Sequence, residues 1–161
     1  MNRVGLRAGA TAFNSRYFHK AHEIWEEITQ NIIEFKPDWV GYTSYTANVS
    51  TIDIISQKIK KRNSKIKQVI GGVHATLDSK ILSRLPAIDY SIQREGEHAM
   101  CDLVDGKEPK NITGVVSRGE NGLIYNFDAD VIKNVDNLPL PEREIFCGLS
   151  DDEKLMVDVS Y

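Results

Sequence analysis

Between residues 38 and 104 a short apolar run gives way to a helix-like stretch three times in succession, with only brief connections. Asp38-Trp39-Val40-Gly41-Tyr42-Thr43-Ser44 has the character of a buried strand. After it, Ile52, Ile55 and Ile59 carry the apolar stripe of a helix, and Ser50-x-x-Asp53 has the form of a capping box at its start. Ile66 to Ile70 makes the second strand, with a short helix about Ile81, Leu82 and Leu85 behind it. Ile88-Asp89-Tyr90-Ser91-Ile92 makes the third. It is followed by a helix from Glu97 to Val104, with Ala99, Met100, Leu103 and Val104 inward and Gly106 as its stop. Parallel strands need a crossover, usually helical, so this alternation predicts an α/β fold with a parallel sheet covered on both faces. Such sheets bind ligands just beyond the carboxyl ends of their strands, where strand order reverses. Thr43-Ser44-Tyr45, Gly71-Gly72-Val73-His74 and Gln93-Arg94-Glu95-Gly96-Glu97 all fall at that rim.

The middle loop is the most distinctive of the three. Neither Gly71 nor Gly72 has a side chain, so backbone there can be brought against a bulky ligand; the same pair also suits a tight strand-to-helix turn. His74 follows at once, but a histidine just past a turn is more often a hydrogen-bonding loop residue than a metal ligand. Cys101 and Cys147 lie far apart with no metal-ligand spacing, so no metal site is expected. Glu95 and Glu97 suit the first turn of a helix on their own account, and the free N–H groups there can also receive a polar group.

Upstream, Ala21, Ile24, Trp25, Ile28, Ile32 and Phe35 recur at three- and four-residue intervals with Glu23, Glu26, Glu27 and Gln30 between them, an amphipathic helix that Pro37 ends. Within residues 1–18, Val4 to Ala10 is a short strand weakened by two glycines. Downstream, Ile112 to Ser117 and Leu123 to Phe127 alternate and are joined by Arg118 to Gly122, where Asn121-Gly122 signals a hairpin. Asn134 to Pro141 is a proline-marked connector, Glu142 to Phe146 a short helix, and Leu155 to Tyr161 a strand-like alternation at which the sequence stops. The expected organisation is an α/β domain over 1–133, with an incomplete first unit in 1–18 and a hairpin at 112–127, then a linker over 134–161.

With 161 residues and a formal net charge of -3, the chain suits one globular domain and has no general affinity for nucleic acid or anionic membrane. No apolar run approaches the ~20 residues needed to span a bilayer, and two lone cysteines fit a reduced, cytoplasmic protein.

Several segments, in order, carry a family resemblance: Lys36-Pro37-Asp38-Trp39-Val40-Gly41 into Thr43-Ser44-Tyr45-Thr46, Val69 to Thr76, Asp89-Tyr90 before Arg94-Glu95-Gly96-Glu97, a hairpin, and Asn137-Leu138-Pro139-Leu140-Pro141-Glu142-Arg143. The set covers roughly residues 20 to 161 and resembles the cobalamin-binding domain found ahead of the radical S-adenosylmethionine domain in B12-dependent radical enzymes. That group includes anaerobic magnesium-protoporphyrin monomethyl ester cyclases and radical S-adenosylmethionine methyltransferases. The resemblance implies a Rossmann-like, flavodoxin-like three-layer domain and a cobalamin whose nucleotide tail slides into a slot beside the strands. Thr43, Ser44 and Tyr45 would offer hydroxyls and amides to the tail, Gly71, Gly72, Val73 and His74 would pack along it, and Glu95, Gly96 and Glu97 would close the third loop. The DxHxxG motif that supplies an axial histidine in related corrinoid proteins does not occur, which implies cobalamin held without that ligand. The resemblance also implies a following radical domain holding S-adenosylmethionine and a [4Fe-4S] cluster on a CxxxCxxC loop, acting on a small-molecule substrate by methyl transfer or oxidative cyclisation; no such cysteine triplet occurs here. The chain departs from the family at Arg94, where a glycine is usual ahead of Glu-Gly-Glu. Two other readings stay open: a structural or interaction domain that has lost its cofactor, and a flavodoxin-like nucleotide-binding domain, which has no GxGxxG or GxxxxGKS loop to support it.

Overall fold

In the computed structural model, which describes residues 23–126 and Leu138, the periodicity ahead of Pro37 folds as helix α1, Glu23–Phe35. Its Trp25 and Ile28 are buried against Ile54, Ile55 and Ile59 of α2, Val49–Arg62. Between them runs β1, Trp39–Thr43, which pairs in parallel with β2, Lys67–Gly71, in the register Trp39↔Lys67 to Thr43↔Gly71. Two short helices follow, α3 at Val73–Leu77 and α4 at Ile81–Arg84, before β3 at Tyr90–Ile92 pairs in parallel with β2. Helix α5, Glu97–Val104, then leads to an antiparallel hairpin of β4, Val115–Gly119, and β5, Gly122–Tyr125.

The hairpin is part of the main sheet: β4 pairs antiparallel with β3, and the strand order is β1-β2-β3-β4-β5. The sheet is therefore mixed, parallel over its first three strands and antiparallel over its last two. Among the described residues the order follows the chain without a reversal, so what marks the ligand side is the shared rim of carboxyl-end loops. One face packs Ile70 and Val116 against Ile52 of α2, Ile81 and Leu82 of α4, and Leu85 and Ile88. The other packs Val69, Ile92 and Val115 against Ala99 and Leu103 of α5 and Ile112. Two apolar faces on one pleated sheet give the three layers that the strand periodicity requires.

Two polar devices are built into this core. Gln68, in the middle of β2 and fully buried, accepts from Tyr42 Oη at 2.5 Å and donates to the carbonyls of Ser56 and Ala87, both at 3.1 Å. All its hydrogen-bonding directions but one are thus used, as burial of an amide demands. Arg118 of β4 donates to the carbonyls of Leu82 at 2.8 Å, Leu85 at 2.9 Å and Ile88 at 3.1 Å, tying the end of α4 and the segment after it to the sheet.

Several expectations shift. The helix expected to open at a Ser50–Asp53 capping box starts earlier: a 3₁₀ turn at Thr46–Asn48 runs directly into α2, Asn48 occupies the cap position and Ser50 is already helical. Val104 is exposed rather than inward. Strand β4 continues through Arg118 and Gly119, so the hairpin turn is Glu120-Asn121, with Gly119 paired to Gly122. The expected strand within 1–18, residue Phe127, the connector and linker apart from Leu138, the short helix at Glu142 to Phe146 and the final alternation lie outside the described residues.

Candidate functional site

The three rim loops are tied to one another by hydrogen bonds that sequence spacing cannot show. Ser44, at the end of β1, is fully buried. Its backbone N–H and its hydroxyl both donate to the Gly71 carbonyl, at 2.8 and 2.7 Å, while its carbonyl and hydroxyl oxygens accept from the N–H groups of His74 at 3.0 Å and Ala75 at 3.1 Å. The serine side chain is committed to bracing the first loop against the second. Asn48 fixes the first loop from within: its Oδ1 accepts from Tyr45 N–H at 2.8 Å and its Nδ2 donates to the Thr43 carbonyl at 2.9 Å. Thr76 links the second loop to the third, donating to the Gly72 carbonyl at 3.1 Å and accepting from Arg94 N–H at 2.8 Å.

The two adjacent glycines have different reasons to be glycine. At Gly72 the backbone has φ 91° and ψ -176°, a region open essentially to glycine alone, and an added Cβ would lie 2.9 Å from Ser44 N and 3.0 Å from Ser44 O. The close approach of the loops forbids a side chain there. At Gly71 an added Cβ would meet only the Ile92 carbonyl, at 3.7 Å, an ordinary contact. Gly41, in mid-strand and exposed, is similar: its added Cβ would meet only Val69 Cγ1, at 3.9 Å. Packing demands glycine at neither position.

The parallel register puts Gly41 beside Val69 and Thr43 beside Gly71, so all four lie on the face that α5 covers. Val69 is buried under α5, whereas Gly41 and Thr43 are exposed and Gly71 half-buried. A strip of sheet along β1, floored by two glycines and ending at the Thr43 hydroxyl, is thereby left bare beside the helix. Sequence reading singled out Gly71 but not Gly41; the available signal was a glycine inside a strand, which marks close approach of a ligand or another backbone.

Tyr45 and Val73, expected at the rim, are 57% and 59% exposed, an unusual placement for large apolar side chains on adjoining loops. His74 is held at one ring nitrogen, Nδ1 lying 3.1 Å from Thr46 Oγ1, while Nε2 stands 3.9 Å from Asp78 Oδ2, beyond hydrogen-bond reach, and Asp78 is paired to Arg84. It serves the loop as a bracing group. Among the described residues no group of three or more His, Cys, Asp and Glu could hold a metal ion. Gly96 takes the cap position of α5, where an added Cβ would lie 3.0 Å from Ile92 Cγ2, and Glu97 stands exposed in the first helical turn with Glu95 exposed just before it. Arg94 adopts φ 60°, the left-handed conformation, which accounts physically for the preference for glycine at that point of the loop. No helix among the described residues is long and apolar enough to cross a membrane.

Comparison with known proteins agrees with this architecture. The chain is 33% identical over 127 residues to an uncharacterized methyltransferase of Pyrococcus horikoshii, covering 75% of this chain and 28% of that protein. It is 34% identical over 80 residues to the anaerobic magnesium-protoporphyrin IX monomethyl ester cyclase of Rubrivivax gelatinosus, covering 49% of this chain and 14% of that one. The chain thus spans under a third of the length of either relative. In structure it resembles the radical S-adenosylmethionine methyltransferase TsrM of Kitasatospora setae, solved with cobalamin and a [4Fe-4S] cluster bound: the TM-score is 0.55 at 19% identity, over 64% of this chain and 22% of that one. The form with tryptophan and a S-adenosylmethionine analogue gives a TM-score of 0.54 over 67% of this chain and 23% of that one. The family model of the B12 binding domain matches residues 9–104, from the first helix through all three rim loops to the end of α5, and the chain belongs to that family.

Proposed function

We propose that the chain binds cobalamin at this rim, where Tyr45 and Val73 would face the corrin ring and the strip of Gly41 and Gly71 beside α5 would take the nucleotide tail. The observation that carries this reading is the pair of glycines whose positions have room for a side chain yet carry none. A flat heteroaromatic group packs against bare backbone at a distance that a Cβ would deny it. Thr43, exposed at the end of the strip, supplies a hydroxyl to the tail, and free N–H groups at the start of α5 face the same rim. Ser44, Gly72 and Thr76 act one step back, fixing the spacing of the loops. The residues of this chain contain no DxHxxG motif to supply a histidine to the cobalt, and His74 Nδ1 lies 3.1 Å from Thr46 Oγ1, within its own group of loops.

When bound, cobalamin supplies a cobalt centre able to carry a methyl group or tune a radical reaction; the protein contributes binding, orientation and exclusion of water. The relatives are several times longer than this chain, and we place it ahead of a radical S-adenosylmethionine domain with a [4Fe-4S] cluster, in an enzyme that methylates or oxidatively cyclises a small molecule. The direct test is to add hydroxocobalamin to the full-length protein, remove free cofactor by gel filtration and record the visible spectrum. Retained corrinoid absorbance near one equivalent is expected. Its absence rules the reading out.

A further inference from the structure

We infer that Arg94 is a specificity residue of this site, clamping the anionic phosphodiester that joins the cofactor's nucleotide tail to its corrin ring; this rests on the cobalamin reading above. Arg94 is a non-glycine residue with φ 60° and is exposed at the rim. A left-handed conformation strains a residue that carries a Cβ, a cost that glycine would not incur. Strained positions of this kind persist where surrounding structure enforces them, and they concentrate at ligand clamps and active sites. Here the enforcement is visible: Arg94 N–H is held by Thr76 Oγ1 at 2.8 Å, and Thr76 is itself bonded to the Gly72 carbonyl at the end of the glycine turn.

No described residue accounts for the guanidinium. The other arginines of the described region are engaged: Arg62 with Glu26 and Gln30, Arg84 with Asp78, Arg118 with three carbonyls. Arg94 makes no ion pair or side-chain hydrogen bond with the described residues, although Glu95 and Glu97 stand on the same loop. A planar, permanently charged fork in this position is matched to a phosphate oxygen pair. Of the groups cobalamin carries, the corrin's amide side chains are neutral and the phosphodiester alone is anionic, so an arginine distinguishes corrinoids by whether they possess the tail.

The test compares hydroxocobalamin with cobinamide, a corrinoid lacking the nucleotide and its phosphodiester, on the full-length wild-type protein and the R94G and R94K variants. R94G removes the charge while relieving the backbone, so a loss of binding in it is not a failure to fold. The expected result is an approximately tenfold rise in Kd for hydroxocobalamin in R94G, from loss of one charge-assisted contact on an open rim, with Kd for cobinamide unchanged and R94K intermediate. Equal loss for both corrinoids overturns the assignment. Tighter hydroxocobalamin binding by R94G also overturns it, since that marks the arginine as filling the slot. If the wild-type protein retains neither corrinoid, the cobalamin reading itself falls and this inference with it.

Discussion

Replacing each glycine of the rim turn by alanine separates the fold from the site within two adjacent residues. In Gly72→Ala the new Cβ must enter a φ 91°, ψ -176° conformation and lie 2.9 Å from Ser44 N, 3.0 Å from Ser44 O and 3.2 Å from Thr43 Cγ2. The backbone region alone costs about 1–3 kcal/mol. Overpacking against a neighbouring main chain adds about 1–3 kcal/mol. A loss of roughly 4 kcal/mol is expected, a large share of the ~5–15 kcal/mol that holds a domain of this size. In Gly71→Ala the only contact is the Ile92 carbonyl at 3.7 Å, and stability is expected within about 0.5 kcal/mol of wild type. Its hydroxocobalamin affinity, however, is expected to fall at least about tenfold, because a methyl group now stands on the floor of the strip. Urea denaturation followed by circular dichroism measures the first quantity and retained corrinoid absorbance the second. A Gly72→Ala protein within about 1 kcal/mol of wild type refutes the turn argument. A Gly71→Ala protein that binds cofactor like wild type refutes the strip.

Three further outcomes follow from the geometry. Arg94→Gly relieves the left-handed backbone and should raise unfolding stability by about 1 kcal/mol, so the variant that binds cobalamin less well is also the more stable one, seen as an upward shift in urea midpoint. Tyr42→Phe strips the hydroxyl from the buried Gln68 Oε1 and should cost about 1–3 kcal/mol. Burial raises the Tyr42 phenol above its ordinary range, so the folded state favours the neutral form; its contribution is full below about pH 10 and is lost as pH rises beyond it, a dependence that Tyr42→Phe should weaken in alkaline denaturation curves. Ser91 Oγ is buried without a hydrogen-bond partner among the described residues, so Ser91→Ala should leave stability unchanged or raise it by about 1 kcal/mol; a loss greater than that would show that the hydroxyl has a partner.

The three-layer α/β core was legible because apolar periodicity is a local property. Ile52, Ile55 and Ile59 declare a helix face wherever the rest of the chain goes, and all three are buried. The rim loops were legible too, since strand ends follow from strands. What stayed hidden was contact between them. Ser44 meets Gly71 across 27 residues and Thr76 meets Arg94 across 18, and no spacing rule relates such pairs. Hence Ser44, expected at the ligand rim, proves also to be a brace whose hydroxyl proton and one lone pair are committed to the second loop, and the difference between Gly71 and Gly72 appears only when a Cβ is placed on each. The start of α2 differs from the expected one because a 3₁₀ turn at Thr46–Asn48 leads straight into the helix, with the Asn48 side chain bonded back to Tyr45 and Thr43 and not to α2, which its sequence neighbours do not disclose.

The Arg118 contacts also bear on how the chain assembles. Helix α4 is a single turn, too short to hold together by its own hydrogen bonds, and the donors for its terminal carbonyls come from a strand 33 and 36 residues further along. The Leu85 carbonyl also accepts locally from Ile88 N–H at 3.1 Å, and docking of the hairpin on β3 adds the Arg118 donors to it and to the Leu82 carbonyl. Closing so long a loop carries an entropic cost that must be met before the contact rewards it. The crossover from β2 to β3 is therefore completed by bonds from the antiparallel end of the sheet. The segment from Leu82 to Ile88 thus draws part of its bonding from β4, and the core face built around Ile81 and Leu82 is shared with Val116 of the hairpin.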